Sequence, residues 1–162
     1  MTHVRYIDKT RDYYRNEGYD TPYRWAHFDE IPFTRLTTPL SACRVGLVTT
    51  SEMAVVGEPG AWDEPDPARD VYSVPTDTPV AKLSSQKDAY DRHATTLADV
   101  DSYLPLARLA ELSAEGRIED VAPRFQVIYS QYSQRKTLTV DAPEILRQMR
   151  EDRVDVAALT AV

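Results

Sequence analysis

Glycine is scarce in this chain of 162 residues, with five glycines against eleven prolines. No Gly-x-Gly and no Gly-Lys-Ser/Thr string occurs, so a glycine-rich phosphate loop is not expected. Cysteine is scarcer still. Cys43 stands alone and has no second thiol in the chain to pair with, and a reducing cytoplasm is the expected compartment. No apolar run approaches the roughly 20 residues that a membrane span needs. The opening Met1-Thr2-His3-Val4-Arg5-Tyr6 lacks the apolar core of a secretory signal. Cations are outnumbered, 19 Lys and Arg against 26 Asp and Glu, for a net charge of −7. That balance excludes a sequence-independent grip on nucleic acid and docking on an anionic membrane. There is no internal repeat and no low-complexity stretch.

What is present is an ordinary globular mixture, 42% hydrophobic and 28% charged, of a size that fits one domain spanning residues 1–162. Residues 4–16 predict a helix with Val4, Ile7 and Tyr14 on one stripe, Tyr6 and Tyr13 beside it, and Gly18 as C-cap. Residues 19–40 carry Tyr23, Trp25, Phe28, Pro32, Phe33 and Pro39 without a period. They read as an extended aromatic arm, and with the helix they form an N-terminal part, residues 1–40.

Residues 43–50 are a β-branched apolar run of the kind found in parallel sheets covered on both faces. The five prolines and the acids of 57–79 predict an irregular loop, with Val71 to Val74 as a short edge strand. Pro105 opens a helix whose Leu106, Leu109, Ala110 and Leu112 face the core, and Gly116 ends it. Phe125 to Tyr132 reads as a strand. Asp141 and Glu144 form an acidic capping box around Pro143, ahead of a helix with Ile145, Leu146 and Met149 on its apolar face. Val154 to Val162 is a final strand. The order strand, helix, strand, helix, strand predicts an α/β fold with a mainly parallel sheet of three to five strands flanked by helices.

Chemistry concentrates in two places. Tyr90, Asp91 and His93, followed by Asp99 and Asp101, put a histidine near several carboxylates, an arrangement suited to a general base or a metal ligand. The same Asp and Thr residues also make turn hydrogen bonds, with His93 a partly buried donor. Three scattered histidines and one cysteine do not make a zinc signature, and no metal or cofactor is expected. Thr49, Thr50, Ser51 and Glu52 follow the first strand, where α/β proteins place ligands, and the hydroxyls could orient a small anion or cap a following helix. Tyr129 and Tyr132, with Ser130 and Ser133, could line a pocket, and alternation on a half-buried strand explains them as well. Cys43, at the start of its strand, reads as a small buried hydrophobe.

Several strings together resemble one family. They are Pro22-Tyr23-Arg24-Trp25, Ile31-Pro32-Phe33-Thr34-Arg35-Leu36 and Pro39-Leu40-Ser41 leading to Arg44-Val45-Gly46-Leu47-Val48-Thr49-Thr50. Then come Tyr90-Asp91, Asp99-Val100-Asp101, Leu104-Pro105-Leu106-Ala107-Arg108-Leu109 and Glu115-Gly116-Arg117-Ile118. Ala142-Pro143-Glu144-Ile145 and Val154-Asp155-Val156-Ala157-Ala158-Leu159-Thr160 complete the set. Their order and spacing are similar to the selenoprotein B family of glycine, sarcosine and betaine reductases, which includes the D-proline reductase selenoprotein subunit. The resemblance covers most of the chain outside roughly 53–83.

The resemblance implies a bacterial, cytoplasmic reductase that cleaves the C–N bond of a small amine or amino acid. It also implies a selenocysteine or cysteine nucleophile just after the strand matching 154–162, and a pyruvoyl-bearing partner subunit. A second thiol or a thioredoxin-like reductant would resolve the adduct. Two departures stand out. The chain stops at Val162, before that nucleophile, and Ser51-Glu52 replaces a turn where the family usually has glycine. Cys43 lies at the wrong end of its strand to substitute. The expected site residues are Tyr90, Asp91 and His93 for catalysis, with Thr49, Thr50, Ser51, Asp99, Asp101 and Tyr129 binding substrate. The alternatives are a repurposed ligand- or partner-binding module and a metal-dependent enzyme built on Asp91, His93, Asp99 and Asp101. The arm and the final apolar strand both offer surface to a homodimer partner.

Overall fold

The computed structural model describes residues 6–21, 27–31, 34–57, 71–87, 90, 92–93, 96–129 and 133–162. The chain divides into two compact units, residues 1–34 and 35–162. The first unit is built on helix α1, Tyr6–Asn16. Gly18 ends it with φ 88°, the left-handed conformation that glycine adopts without a Cβ clash. The amide of Tyr19 then donates to the Tyr14 carbonyl at 3.0 Å. Tyr14 meets Tyr13 and Tyr19 edge-on, and all three rings, like Ile7, are exposed. Among the described residues of 19–39 there is neither helix nor strand. Tyr23, Trp25, Pro32 and Phe33 of the expected arm lie outside the described residues.

The second unit is an α/β fold with a mostly parallel sheet. Strand β1, Arg44–Thr49, is its centre, where the apolar run placed it. It is followed by β2, Met53–Val55, β3, Val71–Pro75, and β4, Leu83–Ser85. Helix α2, Leu106–Ala114, leads to β5, Asp120–Val121, and β6, Arg124–Ile128. A helical stretch runs from α3, Gln134–Lys136, through a wide π turn, Thr137–Asp141, into α4, Ala142–Glu151. Strand β7, Val156–Thr160, comes last.

Strand β1 pairs in parallel with β5, β6 and β7, and β3 joins β6 antiparallel at the edge, as expected for Val71 to Val74. Pro123 has no N–H to give the ladder, which separates β5 from β6. Strands β2 and β4 form a separate antiparallel pair.

Both faces of β1 are covered. On one, Val45 and Leu47 join Phe125, Val127, Val74, Leu104, Leu106 and Leu109 in the hydrophobic core. On the other, Gly46 lies under Met149 of α4 and Val154. This two-sided burial is why β1 is continuously apolar. Strand β7 alternates between half-buried and exposed residues, and Leu159 is 78% exposed.

Several local expectations need correction. Ala110 of α2 and Leu146 of α4 are exposed rather than in the core, and Gln148 is buried instead. Asp141 is no N-cap: it sits inside the helical stretch at φ −64° and ψ −52°, buried, with its carboxylate 3.0 Å from Lys136 Nζ. Ser133 is the residue that caps, accepting the Lys136 amide at 3.2 Å. Pro143 explains the widened turn, since a proline cannot donate to the carbonyl four residues back and its ring crowds that carbonyl. The Ala142 amide reaches back five residues to the Thr137 carbonyl instead.

Candidate functional site

In a parallel sheet the carboxyl ends of neighbouring strands open on one side, where backbone groups and loop side chains converge. Here the register sets Thr49 of β1 level with Val127 of β6 and Thr160 of β7. Thr50, Tyr129 and Thr160 therefore lie along one edge of the sheet, and the Thr50 amide donates to the Thr160 carbonyl at 3.2 Å. Thr50, Tyr129 and Thr160 are each partly exposed.

Beneath that edge lies a buried polar cluster. Thr49 and Ser51 share a hydroxyl hydrogen bond of 2.7 Å, and the Ser51 amide donates to Thr49 Oγ1 at 3.1 Å. Both are fully buried. The element after β1 is a strand, so these hydroxyls do not cap a helix. They hold the turn, in which Thr50 stays partly exposed.

Glu52 and Lys87 complete the cluster, and neither was among the expected site residues. Lys87 Nζ pairs with Glu52 Oε1 at 2.8 Å, and the two residues are only 8% and 7% exposed. Glu52 has φ 52°, one of two non-glycine residues with positive φ among the described residues. That left-handed backbone costs an L-residue roughly 1–2 kcal/mol. The signal was partly legible, since Ser51-Glu52 stands where the resembled family usually carries glycine.

The other expected residues divide. Asp99 accepts the Asp101 amide at 3.1 Å, and Asp101 accepts the Ala107 amide at 3.0 Å, so both fasten the approach to α2. Tyr103 of the same turn is buried, donates its hydroxyl to the Leu97 carbonyl at 3.1 Å, and offers its own carbonyl to Thr49 Oγ1 at 3.5 Å. Burial, then the charges of Asp99 and Tyr90, push the Tyr103 phenol up, away from acid–base work near neutrality. Tyr90 is half-buried, with the Arg92 guanidinium 5.5 Å from its ring centre. His93 is exposed, and Asp91 lies outside the described residues. Among the described residues no three His, Cys, Asp or Glu side chains gather closely enough to hold a metal ion.

Cys43 is at the amino end of β1, opposite the edge where Thr50 lies. It is buried, and its thiol donates to the Pro39 carbonyl at 3.3 Å. Burial, then the charges of Asp155 and Glu119, push its pKa up. A protonated, enclosed thiol is a poor nucleophile, so Cys43 does not fit the nucleophile's role.

A family model for glycine/sarcosine/betaine reductase selenoprotein B matches residues 3–162. The chain belongs to that family. No curated protein and no solved structure matches it. The strings quoted above thus mark a relationship that runs along essentially the whole selenoprotein B-like chain. Among its described residues no helix is long and apolar enough to cross a membrane.

Proposed function

We propose that this chain is the ligand-holding α/β part of a cytoplasmic reductase that cleaves the C–N bond of a small amine or amino acid. The observation that carries the reading is the convergence of Thr50, Tyr129 and Thr160 at the carboxyl edge of the parallel sheet. Hydroxyls and backbone groups there suit a small zwitterion, and Tyr90 and His93 follow β4 on a segment that also leads to the Asp99–Tyr103 turn. In the overall reaction a thiolate or selenolate bonds to the ligand carbon as the C–N bond breaks. The amine leaves with a proton. A second thiol then attacks the sulfur or selenium of the adduct, the bond to the ligand carbon breaks as that carbon takes a proton, and a thioredoxin-like dithiol reduces the disulfide or selenosulfide that forms. Cys43 takes no part in this. The nucleophile comes from a longer form of the chain or from a partner, and the pyruvoyl group belongs to a partner subunit. A second copy of the chain covers the exposed strand β7, making a homodimer.

Titration calorimetry with glycine, sarcosine and betaine tests the reading. Saturable binding to wild-type protein, weakened by Thr50→Val and Tyr129→Phe, is expected. The absence of heat with all three at millimolar concentration removes it.

A further inference from the structure

The turn after β1 is fastened from three sides. Its Thr50 amide is tied to β7, the Ser51 carbonyl accepts Ser85 Oγ of β4 at 2.5 Å, and the Glu52 carbonyl accepts the Gln86 amide at 3.0 Å. Ser85 Oγ in turn receives the Lys87 amide at 3.2 Å, which folds the exit of β4 back toward the turn. The Glu52–Lys87 ion pair closes this ring of contacts.

Two features of the pair point past plain stability. Glu52 occupies a backbone conformation in which glycine would be unstrained, so the side chain is kept despite its backbone. A buried ion pair is also weak evidence of stabilisation, because desolvating both charges offsets most of their attraction. What such a pair does well is to fix one geometry, since each charge rejects any arrangement that leaves it unpaired in the interior.

We propose that Glu52 and Lys87 are positioning residues, a clamp between the β1 turn and the exit of β4 that holds Thr50 in its ligand-facing place. The inference rests on the carboxyl edge being the ligand site. The clamp acts through the backbone: the pair pins residue 52, residue 52 sets the course of the turn, and the turn sets the Thr50 side chain.

The test uses Glu52→Gly/Lys87→Met, which relieves the backbone and leaves no stranded charge, with Lys87→Arg as the conservative variant. Amide hydrogen exchange and calorimetry with glycine, sarcosine and betaine are read on each protein. Exchange at Thr50, Ser51 and Gln86 is expected to quicken about tenfold in the double variant, while Val127 in the sheet stays protected as in wild type. Affinity for the ligand bound by wild type is expected to fall about fivefold or more, and Lys87→Arg is expected to retain both properties. Unchanged exchange at the three turn amides overturns the clamp. Altered exchange with wild-type affinity overturns its positioning role. Wild-type protein that binds none of the three ligands overturns the ligand reading underneath.

Discussion

Gly46 and Val154 touch at the one point where β1 has no side chain: a Cβ added to Gly46 would lie 3.0 Å from Val154 Cγ1. It would also lie 3.2 Å from Met149 Cε, so helix α4 and the lead into β7 both press on this strand position. Gly46→Ala is therefore expected to destabilise by about 1–3 kcal/mol through overpacking. A lower urea midpoint with unchanged slope checks this. If Gly46→Ala is instead stabilising, as for a strand glycine with room beside it, the close approach is wrong.

The buried Asp141 carries the second prediction. The residue is 2% exposed, and its carboxylate meets Lys136 across the π turn. Asp141→Ala removes the carboxylate that faces the mostly buried Lys136 ammonium, and loss of this charged hydrogen bond is expected to cost about 2 kcal/mol. Lys136→Met/Asp141→Ala removes both charges and is expected to regain most of that loss. A double-mutant cycle by chemical denaturation measures the coupling, and additive effects would show the pair to be inert.

These two sites mark what the sequence alone could and could not reveal. β1 was legible because two-sided burial demands an unbroken apolar run, and α2 because Pro105 and Gly116 bracket it. The helical stretch from Gln134 was not. Thr137, Thr139 and Val140 are poor helix formers, and Asp141-x-x-Glu144 imitates a cap in local sequence. Only the backbone, helical at Asp141 with φ −64° and ψ −52°, shows that residue to be internal. The candidate site divides in the same way. Position after a parallel strand pointed to Thr49, Thr50 and Ser51. Glu52 and Lys87 are 35 residues apart, and nothing local announces that their charges meet.

Glu144 gives a pH dependence with a definite sign. Hydrogen bonds from Arg147 and Gln148 hold its carboxyl at about 2, below the ordinary value of 4.5. A carboxylate depressed on folding adds stability that is complete above its unfolded pKa and lost as pH falls through the folded one. Urea midpoints of wild type and Glu144→Gln are therefore expected to differ most above about pH 5 and to converge as pH falls from about 4.5 toward 2. A difference that stays constant over that window would show that Glu144 acts through shape rather than charge.

The sharpest contrast is between Asp101 and His93, which the sequence grouped together. Asp101 Oδ1 accepts the Ala107 amide at 3.0 Å in the first turn of α2. Asp101→Ala is expected to cost about 1 kcal/mol, as loss of a helix cap does, and to lower the melting temperature by several degrees. His93 is exposed, so His93→Ala is expected to move stability by no more than about 0.5 kcal/mol. If His93 serves the ligand, the same variant weakens binding of whichever of glycine, sarcosine or betaine wild type takes. Melting curves and calorimetry on the two variants separate the roles. A large stability loss in His93→Ala with binding intact per folded molecule would make His93 structural and leave the carboxyl edge to Thr50 and Tyr129.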